Sequence, residues 1–193
     1  MIEPSTFAAR WQHLPQPSDW PEGLAGPGDL LALVKADEQA VQDKILSSEA
    51  KHFLVAGGLP KSAAPFLSFE DVAKGLPRIW QVYGTATPQF WKDEDRQRLQ
   101  WFCIIGSDGA GNPICLDEQD KGRVVLLDHE DNFRTITFMN SGVPELAECL
   151  LAFRDTPNQA QLIQELQRID PACTRAGCFW QIEASNIEED EAP

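Results

Sequence analysis

The sequence predicts an α+β fold in which an antiparallel meander sheet is packed by flanking helices. Three observations predict it. Apolar residues recur at spacings of three and four from Asp37 to Val55, four short apolar runs separated by turn residues fill 99–139, and a second helical pattern covers 143–154. A run of strands with helices before and after it is typical of this class.

The pattern that begins at Asp37 predicts one helix or two short ones. Ser47 or Ser48 can cap the second half, because a serine oxygen accepts a hydrogen bond from an amide in the first turn. Gly57-Gly58 supplies the left-handed residue that ends a helix, and Leu59-Pro60 continues in an extended direction.

The stretch between Lys61 and Lys92 contains hydrophobic clusters split by prolines, which predicts short strands and loops. Trp80, Val82 and Tyr83 are its best strand candidates. The charged run over 92–98 is typical of a solvated loop or a helix end.

The four predicted strands of the meander are 99–105, 113–117, 123–129 and 133–139. The loop 106–112 (GSDGAGN) is rich in residues that tolerate positive φ, and short polar turns follow the second and third strands. The near-continuous hydrophobicity of the third strand predicts burial on both faces. The helix over 143–154 then covers the sheet, with Asn140 or Ser141 as its cap and Pro144 in its first turn.

We expect four segments along the chain. The main α+β domain covers 30–154, after an arm over 1–29 that is rich in proline and tryptophan and in which long helices are not expected beyond about Ala9. An appendage over 155–182 contains a helix at 159–169 and a short edge strand at 179–182. The last segment, 183–193, carries five acids and no base, which favours disorder.

Composition limits the classes of function. The chain has 16 Lys and Arg against 30 Asp and Glu, a net charge of -14, which argues against binding duplex nucleic acid or an anionic membrane surface. Five cysteines form no dense framework, and neither a signal peptide nor an 18-residue apolar stretch is present. We therefore expect a protein of the cytoplasm with reduced thiols.

Several short motifs together resemble the SUKH superfamily, and within it the fourth family of bacterial SUKH-type immunity proteins, relatives of the yeast cell-wall assembly regulators. The resemblance covers roughly 45–154. The residues that carry it most clearly are Gly58, Leu59, Pro60, Gly106, Asp108, Gly109, Gly111, Asn112, Cys115, Asp117, Asn140 and Ser141.

The resemblance implies an α+β fold with a bent antiparallel sheet, no catalytic activity, and a role as an adaptable protein-binding module. We expect no cofactor. In bacteria that role is commonly to neutralise a polymorphic toxin delivered by a neighbouring cell. A housekeeping or regulatory adaptor of the same fold is the alternative.

Three other kinds of chemistry are less favoured by the sequence. A phosphate site at 106–112 needs a helix N-terminus after the loop, whereas a strand follows; a tight hairpin in which Asp108 and Asn112 bond their own backbone is favoured. A thiol hydrolase using Cys115 and His129 is a less favoured hypothesis, which requires the thiol and the imidazole to lie within hydrogen-bonding reach. The histidines are far apart, and Cys173 and Cys178 lack the partners of a zinc site, so no metal is expected.

Acidic residues follow the second and third strands of the predicted meander. They simply occupy turns, or they gather at related ends of the sheet as a negative patch that meets a basic toxin surface. The candidate partner-binding residues are Asp117, Glu118, Asp120, Asp128, Glu130 and Asp131. Trp91, Trp101 and Trp180 are candidate anchors only if the fold leaves them exposed.

Overall fold

A computed structural model describes residues 1–13, 31–86 and 91–187. Its α-helices are α1 Pro4–Gln12, α2 Glu38–Gln42, α3 Ser48–Ala56, α4 Ile79–Ala86, α5 Asp93–Leu99, α6 Val143–Asp155, α7 Gln159–Ile169 and α8 Phe179–Ser185. Its strands are β1 Leu33–Val34, β2 Leu59–Pro60, β3 Ser62–Ala63, β4 Leu67–Ser68, β5 Phe102–Ser107, β6 Pro113–Asp117, β7 Arg123–Leu127 and β8 Ile136–Asn140.

Strands β3 to β8 form one antiparallel sheet in chain order, and β1 pairs separately with β2. The predicted α+β class and its four-stranded meander, β5 to β8, are confirmed. Five of the predicted strand bounds differ from the observed ones, and two of these differences have a local cause. Leu99 ends α5, so β5 begins only at Phe102. The carboxylate of Asp131 holds the amides of Arg134 and Thr135 in a turn, so β8 begins only at Ile136.

Helices pack on both faces of the sheet. Successive residues of a strand point to opposite faces, and in these strands both sets of residues are apolar. In β5, Cys103 and Ile105 face the main core with α1, α3, α6, α7 and α8, while Phe102 and Ile104 face a second core under α4 and α5. Val124 and Val125 of β7 divide in the same way, which confirms its predicted burial on both faces.

The terminal helices are part of the main core. Phe7 of α1 is fully buried, with its ring centroid 5.4 Å from that of Phe53 in α3. Leu162 and Leu166 of α7 and Trp180 of α8 are buried in the same cluster. The predicted helix at 159–169 is confirmed at the same bounds.

Two predicted strands are helices instead. The strand expected at Trp80, Val82 and Tyr83 is wrong, because α4 occupies the region and places Ile79 and Tyr83, one helical turn apart, on the second core. The edge strand expected at 179–182 is also wrong, because α8 buries Phe179, Trp180 and Ala184 against the main core. Aromatic and β-branched residues favour strands only weakly, and tertiary packing overrides them.

The predicted caps have a mixed outcome. The Ser47 hydroxyl accepts a 3.1 Å hydrogen bond from the amide of Ala50, which confirms the break between α2 and α3. Asn140 and Ser141 do not cap α6, which begins after Gly142 without a side-chain cap. Asn140 binds Trp180 instead, and Ser141 binds Asp170.

The ends of the chain lie partly outside the described residues. The arm contains α1, which extends three residues past Ala9, and its remainder over 14–29 lies outside the described ranges. The disorder expected from Glu183 onwards is wrong for the first three residues, because α8 continues to Ser185 with Ala184 buried. Residues 188–193 lie outside the described ranges. No helix within the described ranges has the length and apolarity needed to cross a bilayer.

Candidate partner-binding surface

Three turns meet at one end of the six-stranded sheet, which we call the turn end. They are the β3–β4 turn at 64–66, the β5–β6 hairpin at 108–112 and the β7–β8 turn at 128–135. The register places them together, because Ser68 pairs with Ser107 and Ile114 pairs with Leu126. The sequence predicts acidic side chains at such an end of the sheet.

The hairpin 108–112 is organised by one carboxylate. Asp108 Oδ1 accepts hydrogen bonds from the amides of Ala110 (2.9 Å) and Asn112 (2.8 Å), and its Oδ2 accepts one from the Asn112 side-chain amide (2.9 Å). The predicted self-bonded turn is confirmed for Asp108. The Asp108 side chain is half-buried in this arrangement.

The side chain of Asn112 joins the hairpin to the next turn. Its Oδ1 accepts a 3.1 Å hydrogen bond from the His129 amide, and Nδ1 of the His129 ring lies 2.8 Å from the same oxygen. An amide oxygen only accepts, so the ring carries its proton on Nδ1. Asn112 therefore positions the acidic turn and does not bond its own backbone as expected.

The turn at 128–131 keeps three carboxylates at the surface. Asp128 Oδ1 accepts from the amide of Glu130 (2.8 Å), and Asp131 accepts from the Thr135 hydroxyl (2.6 Å) and the Arg134 and Thr135 amides. The Thr135 hydroxyl is the largest cause that lowers the pKa of Asp131, and the two amides add to it. These acids occupy turns and also carry negative charge at the turn end.

The other three predicted acids lie at the opposite end of the sheet, so the six do not form one patch. Asp117, Glu118 and Asp120 belong to the β6–β7 connection, where Asp117 pairs with Arg123. Successive turns of an antiparallel meander lie at alternate ends. That rule was available from the sequence and would have separated the two groups.

Asp117 and Glu118 are moreover buried, so the expectation that they contact a partner is wrong. Asp117 forms a 2.9 Å ion pair with Arg123. The Glu118 side chain is 0% exposed; its Oε2 lies 2.7 Å from Nη2 of Arg78, and its Oε1 accepts from the Ile45 amide at 2.9 Å. They hold the fold together, while Asp120 is 64% exposed and pairs with Arg123 at 3.4 Å.

The residues of the glycine and strand motifs have structural roles. Gly58 has φ +77°, and a Cβ there would lie 2.5 Å from the Val34 carbonyl oxygen. A Cβ on Gly106 would lie 2.0 Å from the Ser68 oxygen, so only glycine lets β4 and β5 approach. Leu59 and Pro60 are buried in β2, and Gly109 and Gly111 lie in the hairpin.

Asn140 and Ser141 tie the meander to the C-terminal helices. Asn140 Oδ1 accepts a 2.7 Å hydrogen bond from the Trp180 indole. The buried carboxylate of Asp170 accepts from the Ser141 amide (2.7 Å) and hydroxyl (3.0 Å). Asp170 is not among the residues predicted from the sequence, because its position before Pro171 carries no signal for this role.

The thiol-hydrolase hypothesis conflicts with the position of Cys115. This residue is fully buried in the second core, opposite Val125, and burial raises the pKa of its thiol well above the ordinary value. A nucleophilic cysteine needs an accessible thiolate. His129, its supposed base, is instead held by Asn112.

The remaining candidates are placed as follows. Trp91 and Trp180 are buried and Trp101 is half-buried, so none is an exposed anchor. All five cysteines, including Cys173 and Cys178, are buried free thiols. Within residues 1–13, 31–86 and 91–187, no three His, Cys, Asp or Glu side chains are grouped as a metal site would require.

One large aromatic side chain at the turn end was missed by sequence analysis. Phe66, in the β3–β4 turn, is 87% exposed. A groove of about 820 Å³ lies beside it, lined among others by Pro65, Asp108 and Phe153. Nothing local in the sequence distinguishes this phenylalanine from those of the core.

Comparison with known proteins identifies one family. The family model described as SUKH-4 immunity protein matches residues 22–185, beyond the 45–154 over which the resemblance was expected and including the C-terminal helices. Searches of curated proteins and of solved structures found no match.

Proposed function

The chain belongs to the SUKH-4 immunity protein family, and from this membership we propose that it binds a toxin protein in the cytoplasm and neutralises it without catalysis. The family match over 164 residues, 22–185, is the observation that carries the proposal. The toxin is the kind of partner that the family implies.

The charge of the turn end supports a basic toxin. The three turns contain four acids and one base, which gives a local net charge of -3. The acids are Asp108, Asp128, Glu130 and Asp131, and the base is Arg134. Opposite charge on a partner speeds encounter and disfavours wrong partners. The overall charge of -14 acts in the same direction at long range.

Binding also fits the way in which the turn end is held. The bonds of Asp108, Asn112 and His129 fix the two acidic turns relative to each other in the free chain. A surface that is already ordered loses less conformational entropy when it binds.

Co-expression tests the proposal directly. The chain is expressed together with the toxin domain encoded by the neighbouring gene, and survival is compared with that of cells expressing a toxin domain from an unrelated family. We expect survival only with the neighbouring toxin, and a complex of the purified proteins. Continued killing with no complex would overturn the immunity role and favour the alternative, an adaptor of the same fold.

A further inference from the structure

The Phe66 side chain lies where it contributes little to the stability of the fold. A large apolar side chain stabilises a protein mainly when it is removed from water, and the Phe66 side chain is 87% exposed. Its Cβ lies against the hairpin, where a Cβ added to Gly109 would lie 3.0 Å from it.

The backbone of Phe66 adds a second cost. Its φ is +61°, in the left-handed region that bulky residues rarely adopt and that glycine and asparagine tolerate. Strained residues of this kind concentrate at binding sites, where the surrounding structure holds them. An exposed aromatic ring in a strained turn therefore indicates a role outside folding.

The groove beside Phe66 can accept a side chain. It lies between α1, the β3–β4 turn, the hairpin and α6, with a volume of about 820 Å³, and its apolar lining includes Ala63, Ala64, Pro65 and Phe153. The Arg154 guanidinium at its margin is already engaged by Asp155 at 2.7 Å and lies 4.8 Å from the centroid of the Trp11 ring.

One lining residue of the groove is acidic. This residue is Asp108, and the Asn112–His129 contact places the acidic turn at 128–131 next to the same hairpin. The surface thus combines an apolar groove, an exposed aromatic ring and four carboxylates. Buried apolar anchors surrounded by charged residues are the usual organisation of a protein interface.

We propose that the toxin docks in this groove, contacting Phe66, and presents there an apolar side chain flanked by lysine or arginine. The proposal rests on the proposed function and adds to it the surface and the chemistry of the contact. Charge complementarity selects this occupant, because Asp108 in the groove lining and the acidic turn next to its hairpin would repel an acidic segment, including that of a second copy of this acidic chain.

The test compares Phe66→Asn with Ile45→Asn. Ile45 is 56% exposed and lies at the opposite end, where its amide binds Glu118. Affinity for the purified, catalytically inactivated toxin domain of the neighbouring gene is measured by calorimetry, and unfolding by denaturant. We expect Phe66→Asn to weaken binding roughly tenfold or more, as for an interface hot spot, with stability equal to or above that of the wild type. Ile45→Asn should leave the affinity unchanged.

Hydroxyl-radical footprinting with mass spectrometry gives an independent measurement. Phe66 should be oxidised in the free chain and protected in the complex. If the wild type binds the toxin domain while Phe66→Asn binds it equally well, the docking proposal is overturned and the immunity role stands. If the wild type binds no toxin domain, both are overturned. If Phe66 is already protected in the free chain, a segment of the same chain covers the groove. If the free chain is a dimer that Phe66→Asn dissociates, a second copy covers it. Either result would overturn the docking proposal.

Discussion

The indole Nε1 of Trp180 donates a 2.7 Å hydrogen bond to Oδ1 of Asn140, which lies 40 residues earlier in the chain. Both residues are fully buried, and Asn140 also donates towards Asp170 at 3.4 Å. This contact joins the last strand of the sheet to the C-terminal helices. Asn140 and Ser141, two residues that carry the resemblance to the family, therefore hold the C-terminal helices against the sheet.

Trp180→Phe should destabilise the protein, because it leaves the buried Asn140 oxygen without its donor. A buried polar atom that loses its partner costs about 1–3 kcal/mol, and the smaller ring leaves some unfilled space as well. Denaturant unfolding measures the loss. Trp80→Phe makes the same replacement at a 36% exposed position and should change stability much less; equal losses in both variants would contradict the structural role of the bond.

Glu118→Gln should also destabilise the protein, although glutamine can still accept from the Ile45 amide. The substitution removes the charge that pairs with Arg78, and loss of one partner of a buried ion pair costs about 3–5 kcal/mol. We expect a value near or below the lower end, because Arg78 is partly exposed. Asp120→Asn, at the 64% exposed neighbour, should change stability by less than about 1 kcal/mol. A similar effect at both positions would contradict the buried pair.

The pKa of Asp131, measured by NMR titration, should lie below the ordinary aspartate value. The Thr135 hydroxyl is the main cause, so Thr135→Val should raise the pKa back towards that value. Because the folded-state pKa is depressed, the stability that Asp131 contributes is present above the unfolded-state pKa and is lost as the pH falls through the folded one. An unchanged pKa in Thr135→Val would exclude the hydroxyl as the cause.

Charge reversal at the two ends of the sheet should separate local from global electrostatics. Glu130→Lys and Asp120→Lys change the net charge by the same amount, but only Glu130 lies at the turn end. With a basic toxin, stopped-flow association at low salt should slow several-fold more for Glu130→Lys, and the difference should shrink as salt increases. Equal rates for the two variants would remove the turn end from the encounter surface.

Cys115 should resist alkylation in the native protein at neutral pH. Its thiol is fully buried and its pKa is raised by that burial, so it exposes little thiolate. Mass spectrometry of iodoacetamide-treated protein should find Cys178, which is 8% exposed, labelled earlier than Cys115. Rapid labelling of Cys115 without unfolding would reopen the question of a thiol-based activity.

Features that depend on neighbouring residues could be predicted from the amino-acid sequence. The Ser47 cap, the glycine stop at Gly58, the Asp108 hairpin, the four-stranded meander and the helix at 159–169 each follow from short-range spacing or from a backbone conformation that few residues tolerate. The fold class follows from the same local patterns, because it depends on the order of helices and strands along the chain.

Features that depend on distant parts of the chain required the three-dimensional fold. The residues around Trp80 and Trp180 form helices because packing on the two cores outweighs a weak preference for strands. Burial separates Glu118, a carboxylate enclosed with Arg78, from Glu130, an exposed one, although both follow strands in similar acidic turns. Exposure distinguishes Phe66 from the phenylalanines of the core. Charged, aromatic and turn-forming residues can be identified in a sequence. Their exposure to solvent depends on which distant segments pack over them, and this is decided by the tertiary structure.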